Sequence, residues 1–142
     1  MKPQHVLIPN HDGLADAARP MVAELETKSK VVPIADGAQM MMAFAKLASR
    51  GTTPSLVILD HQLGRIRGRA CAEFIRAVER GFDVPKTPIL FYTEDPSDEA
   101  FKRFTNGLGH TLQLTRKTDK DISGQAKRLT KAINRILEKV AQ

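Results

Sequence analysis

The chain has 142 residues, 42% of them hydrophobic, which suits one compact core able to bury about two-thirds of the unfolded chain's surface. No apolar run approaches the roughly 18 residues of a membrane span, and the start "MKPQHVLIPNHDG" lacks a signal peptide's apolar segment and cleavage site, so a cytoplasmic protein without membrane contact is expected. The single cysteine, Cys71, excludes an intramolecular disulfide and a multi-cysteine zinc site, and the net charge of +6 lies wholly beyond residue 60, because residues 1–60 are balanced.

In chain order, "HVLIP" (5–9) reads as a short apolar strand. A helix is expected over 12–28, with Leu14, Ala17, Ala18, Met21, Val22 and Leu25 on one side; Pro20 implies a kink there or a helix that begins near it. "KVVPIA" (30–35) is a second strand whose Pro33 suits an edge position, and 38–51 a second helix closed by Gly51. "SLVILD" (55–60) is continuously apolar up to Asp60, as a strand covered on both faces must be. A helix over 68–81 places Cys71, Phe74, Ile75 and Val78 on an apolar face, which makes Cys71 a buried thiol rather than a nucleophile.

"PILFYT" (88–93) is the fourth strand, followed by a helix over 97–107 with Ser97 as its cap, a fifth strand "TLQLT" (111–115), and a last helix from about 119 to 140. Its buried stripe is Ile122, Ala126, Leu129, Ala132, Ile133, Ile136, Leu137 and Val140. Five strands alternating with five helices imply a doubly wound, five-stranded parallel sheet, with residues 1–142 forming a single domain. In such a sheet ligands gather beyond the carboxyl ends of the strands, which brings Asp60, Thr93 and the trio Asn10, His11, Asp12 to one rim.

An aspartate ending the third strand, "HQLGRIRG" after it with Leu63, Gly64 and then Gly68 eight residues past the acid, and Thr93 ending the fourth strand resemble the receiver domains of two-component response regulators. The resemblance spans nearly the whole chain and implies a flavodoxin-like (βα)5 fold; since little sequence follows the last helix, no output domain is expected. It further implies that Asp60 accepts a phosphoryl group from a histidine kinase or phosphotransfer protein, and that a downstream target protein reads the surface of the fourth helix, fifth strand and fifth helix. Thr93 would contact the phosphoryl group, a cation from Arg116 or Lys117 would face it, and Mg2+ would be held by Asp60, Asp12, Asn10 and the backbone of Gln62.

Three departures bear on this. Asn10 and His11 stand where the family shows an acidic pair, and imidazole is a poor magnesium ligand. Asp12, one position on, suits either the metal or the cap of the first helix. Strict alignment puts Arg116 at the family's lysine and Lys117 at its proline, whereas a slip by one residue restores the lysine; it also puts Gln113 where the family has an aromatic switch residue.

The competing reading is a phosphorylation-independent pseudo-receiver that has kept the fold and lost the metal. Arg65, Arg67 and Arg69 read as a solvated loop with Arg69 in the first helical turn, or else as positive charge set near a phosphorylated Asp60 or docking an anionic partner. The basic last helix, with Lys127, Arg128, Lys131, Arg135 and Lys139, is the basis for a nucleic-acid reading, which is disfavoured because Tyr92, the only Tyr or Trp, belongs to a core strand. No independent enzymatic activity is expected beyond self-phosphorylation and dephosphorylation at Asp60, and pairing of two copies through the last helix is left open.

Overall fold

The computed structural model describes residues 4–94 and 98–141, with side chains through residue 139. Strand β1 (His5–Pro9) is followed by a 3-10 turn (His11–Gly13) and helix α1 (Leu14–Ala23), then β2 (Lys30–Ile34), α2 (Gly37–Ser49) and β3 (Leu56–Leu59). A small hairpin, β4 (Gln62–Leu63) and β5 (Ile66–Arg67), leads into α3 (Gly68–Phe82); β6 (Ile89–Thr93), α4 (Glu99–Leu108), β7 (Thr111–Thr115) and α5 (Ile122–Ala141) complete the order. The main sheet runs β2-β1-β3-β6-β7 with every pairing parallel, so the expected doubly wound α/β sheet is what forms.

Strand alternation divides the core in two. Val6, Ile8, Leu56, Ile58, Leu90 and Tyr92 face α1 and α5, while Leu7, Val57, Leu59, Ile89 and Phe91 face α2, α3 and α4. Both faces of the central strands are therefore apolar, which is why β3 reads as an unbroken hydrophobic run. The expected stripes of α1 and α5 pack on the first cluster except for Ile122, which is half-buried at the start of α5 and outside it, and Val140, whose side chain lies outside the described residues.

Pro33 sits on β2, the sheet's edge strand, as its missing N–H demands. Gly51 closes α2 with φ +74°, its N–H donating to the Ala48 carbonyl at 2.9 Å.

Several boundaries differ from the sequence reading. The helix α1 starts at Leu14 and ends at Ala23 rather than running from 12 to 28; it passes through Pro20, and the chain then turns through Leu25 and Lys28, the latter at φ +53°. Gly13 precedes its first turn, so Asp12 is not its cap. Ser97 lies outside the described residues; α4 is capped by Asp98, which accepts from the Phe101 N–H at 2.7 Å. α5 starts at Ile122 rather than 119, after Asp121, whose carboxylate accepts from the Gly124 N–H at 2.7 Å.

Cys71 is fully buried, with its Sγ 3.7 Å from the Gly37 carbonyl, as expected of a structural thiol. Burial, with a contribution from Asp36, pushes this thiol from 9.0 up to about 11. The folded chain thus holds the proton over a range in which the unfolded chain has lost it. Stability from this group is complete below pH 9 and is lost as pH rises toward 11. In urea unfolding, the advantage of the wild type over Cys71→Ala should shrink by about 2 kcal/mol across that window; a constant difference would refute the assignment.

Candidate functional site

The carboxyl ends of β1, β3, β6 and β7 form one rim, and Asp60 directly follows β3 at its centre. Continuing the alternation of β3 puts Asp60 on the same side as Tyr92 of β6, while the next residue turns to the other face. His61 accordingly packs edge-on against Phe101 of α4, ring centroids 5.0 Å apart, and Phe101 meets Phe91 in the same way at 5.0 Å. His61 points away from Asp60 and ties the Asp60 loop to α4.

The Asp60 carboxylate is 20% exposed, accepts from the His61 N–H at 2.6 Å and lies 3.3 Å from Nη2 of Arg116. Arg116 is carried there by the β6–β7 ladder: its backbone N–H donates to the Thr93 carbonyl at 2.7 Å, one step beyond the Thr93–Thr115 pair. The same Nη2 is 3.3 Å from Oε1 of Glu94, so a single guanidinium edge serves two carboxylates. Lys117 is exposed at the start of the turn that follows, so of the two expected cations Arg116 is the one that lies against Asp60.

Thr93 ends β6, buried beside this cluster. Burial raises the Tyr92 phenol above its ordinary value and the Asp60 charge adds to that, against the lowering influence of Arg128 and Arg116. Arg128 of α5 donates to the Thr115 carbonyl, which closes the α5 side of the rim.

The β1 end is arranged differently from the resemblance. Asn10 donates from Nδ2 to Oδ2 of Asp16 at 3.0 Å, and its Oδ1 accepts from the Asp16 N–H at 3.1 Å, so the side chain fastens the β1 end to α1. Asp12 adopts φ +52° in the 3-10 turn and carries its carboxylate out to solvent, 71% exposed and 3.3 Å from Nε2 of His11. Gln62 lies in β4 opposite Arg67, its side-chain amide donating to the Gly64 carbonyl at 2.8 Å.

These residues do not fit a magnesium ion. Asp60 is the one acid of the expected set at the rim's centre and it faces a guanidinium, Asn10 is committed to Asp16, and no group of three His, Cys, Asp or Glu among the described residues is suited to a metal.

The hairpin β4–β5 was not foreseen. Its inward pair, Leu63 and Ile66, anchors it on the second core cluster, with Gly64 at φ +67° in the turn. Arg65 and Arg67 are exposed, and Arg69 in the first turn of α3 lies 4.5 Å over the Phe104 ring, so these arginines form a solvated edge rather than part of the Asp60 cluster. Tyr92 is 3% exposed, which leaves the basic α5 without a Tyr or Trp to stack on bases.

No protein-family model and no curated protein matches the chain. Solved structures do. The phosphorylated cyanobacterial phytochrome response regulator RcpA is similar over 100% of this chain and 98% of its own, with a TM-score of 0.72 at 16% identity. The response regulator domain of Thermotoga maritima CheB gives 0.69 at 12% identity over 97% of this chain and 98% of that one. The receiver domain of the histidine kinase CKI1 from Arabidopsis thaliana, complexed with Mg2+ and BeF3−, gives 0.65 at 17% identity over 94% and 89%. The chain has the CheY-like receiver fold. No helix among the described residues is long and apolar enough to cross a membrane.

Proposed function

We propose that the chain is a receiver-type module of two-component signalling, in which Asp60 accepts a phosphoryl group from a histidine kinase or phosphotransfer protein and the output passes to a target protein by surface contact. The observation that carries this reading is the Asp60 carboxylate itself, 20% exposed at the end of the central strand with Arg116 3.3 Å away. An oxygen of Asp60 attacks the phosphorus, the phosphorus–nitrogen bond to the donor histidine breaks, and the electron pair leaves with the imidazole. The guanidinium of Arg116 takes up charge on the phosphoryl oxygens, and the Thr93 hydroxyl on the neighbouring strand end donates a further hydrogen bond. Because Arg116 also holds Glu94, its move toward the phosphoryl group loosens the Glu94 contact and changes the surface after β6.

The pseudo-receiver reading is favoured by one specific observation: Asp60 already has its counter-cation, and Asn10 is turned to Asp16. Intact-mass analysis after incubation with acetyl phosphate or phosphoramidate separates the two. An adduct lost in Asp60→Asn supports phosphoryl acceptance. No adduct with either donor, or from a set of phosphorylated histidine phosphotransfer proteins, leaves a module that signals by its surface alone.

A further inference from the structure

We infer that Arg116 occupies the cation seat of the Asp60 pocket in place of a divalent metal, so that the pocket works metal-free. The inference rests on the reading above only for the choice of pocket. Magnesium requires several oxygen ligands in near-octahedral array. The rim offers the Asp60 carboxylate, whereas both polar atoms of the Asn10 side chain are spent on Asp16 and the Asp12 carboxylate stands in solvent beside His11. A dication on Asp60 would stand directly against a guanidinium that is 11% exposed and anchored to Thr93 through its backbone.

The guanidinium is held by its outer edge. Nη2 makes both carboxylate contacts, while the buried Nε has no hydrogen-bond partner among the described residues. Two acids from neighbouring loops, Asp60 and Glu94, thus converge on one nitrogen, which is an arrangement of oxygen donors around a single positive charge. If the guanidinium is what excludes the metal, taking it away leaves two carboxylates facing a vacated space. Such a pair selects a hard cation.

The experiment is a Mn2+ titration followed by electron paramagnetic resonance on the wild type, Arg116→Ala, and Arg116→Ala with Asp60→Asn. The wild type should show no saturable binding that depends on Asp60. Arg116→Ala should gain affinity by at least about tenfold, and adding Asp60→Asn should abolish the gain. Arg116→Gln, which keeps most of the side-chain volume without the charge, should show the same gain, so a folding defect in the alanine variant does not leave the inference untested. Binding by the wild type that Asp60→Asn removes would overturn it, and so would folded Arg116 variants with no gain. The phosphorylation reading fails separately: an Asp60 adduct that forms only with Mg2+ refutes the metal-free pocket and keeps the function, whereas no adduct together with metal gain in Arg116→Ala does the reverse.

Discussion

Replacing Glu79 by alanine should destabilise the chain by about 3–5 kcal/mol, although the residue is absent from the Asp60 cluster. Glu79 is 2% exposed and Arg76, one helical turn earlier on α3, is 3% exposed. A single nitrogen spans the carboxylate, Nη1 of Arg76 lying 2.8 and 3.0 Å from its two oxygens. Oε2 also accepts from the Thr87 N–H at 2.6 Å, just ahead of β6. Arg76 turns its remaining donors to the carbonyls of Leu108 at 3.3 Å, Gly109 at 2.7 Å and His110 at 3.4 Å, where α4 ends and β7 is about to begin. One buried pair thereby fixes the starts of two strands whose opposite ends carry Thr93 and Arg116.

The alanine leaves a buried guanidinium without its anion and a buried N–H without its acceptor, and both penalties fall on the folded state. Glu79→Gln should cost less, since an amide oxygen still accepts from Thr87. In a double-mutant cycle, Arg76→Met with Glu79→Leu should fall well short of the sum of the single changes, because removing both charges together strands neither. Urea unfolding measures all of these. A loss below about 1 kcal/mol for Glu79→Ala would put the pair among solvated ion pairs and contradict its burial.

The order of elements and the sheet were legible in the sequence because the strands are covered on both faces, so their apolar runs end abruptly at chemistry-bearing residues. The resemblance alone brought in a cation, as Arg116 or Lys117, whereas Asp60 and Thr93 could be placed on one rim for the same reason as the strands: strand ends are fixed by register. The β1 end could not. Asn10 follows the last residue of β1, and its choice of Asp16 over the pocket depends on a left-handed turn at Asp12 and Gly13, which no periodicity reports. Glu94 lies one residue past β6, where alternation no longer dictates side-chain direction.

Arg76 and Glu79 did leave a signal. Opposite charges three apart interrupt the stripe of Cys71, Ala72 and Ile75, and charges inside an apolar face are seldom fully buried unless they pair with one another. The hairpin was hidden by its brevity. Two residues per strand are too few to show a period, and only Gly64 between Leu63 and Ile66 marked the turn.

Gly68→Ala should destabilise the chain by about 3 kcal/mol or more and disturb Asp60 itself. Gly68 opens α3, and its N–H donates to the His61 carbonyl at 2.8 Å, which folds the hairpin back onto the end of β3. A Cβ added there would stand 1.8 Å from the Asp60 carbonyl oxygen and 2.9 Å from its carbon. Both are backbone atoms at the end of a buried strand, so no side-chain rotation relieves the clash; either α3 withdraws or the Asp60 peptide is pushed. The second response moves the carboxylate relative to Arg116.

Gly81, in the same helix, supplies the control: a Cβ there meets nothing within 4 Å, so Gly81→Ala should stabilise by about 0.5–1 kcal/mol through the helix propensity of alanine. Opposite signs for the two changes, together with a shifted Arg116 side-chain NMR signal in Gly68→Ala alone, would show that this glycine is needed for close approach to the residue that carries the site. Equal small effects would mean that the loop after Asp60 yields freely. Gly68 would then have no part in positioning the carboxylate.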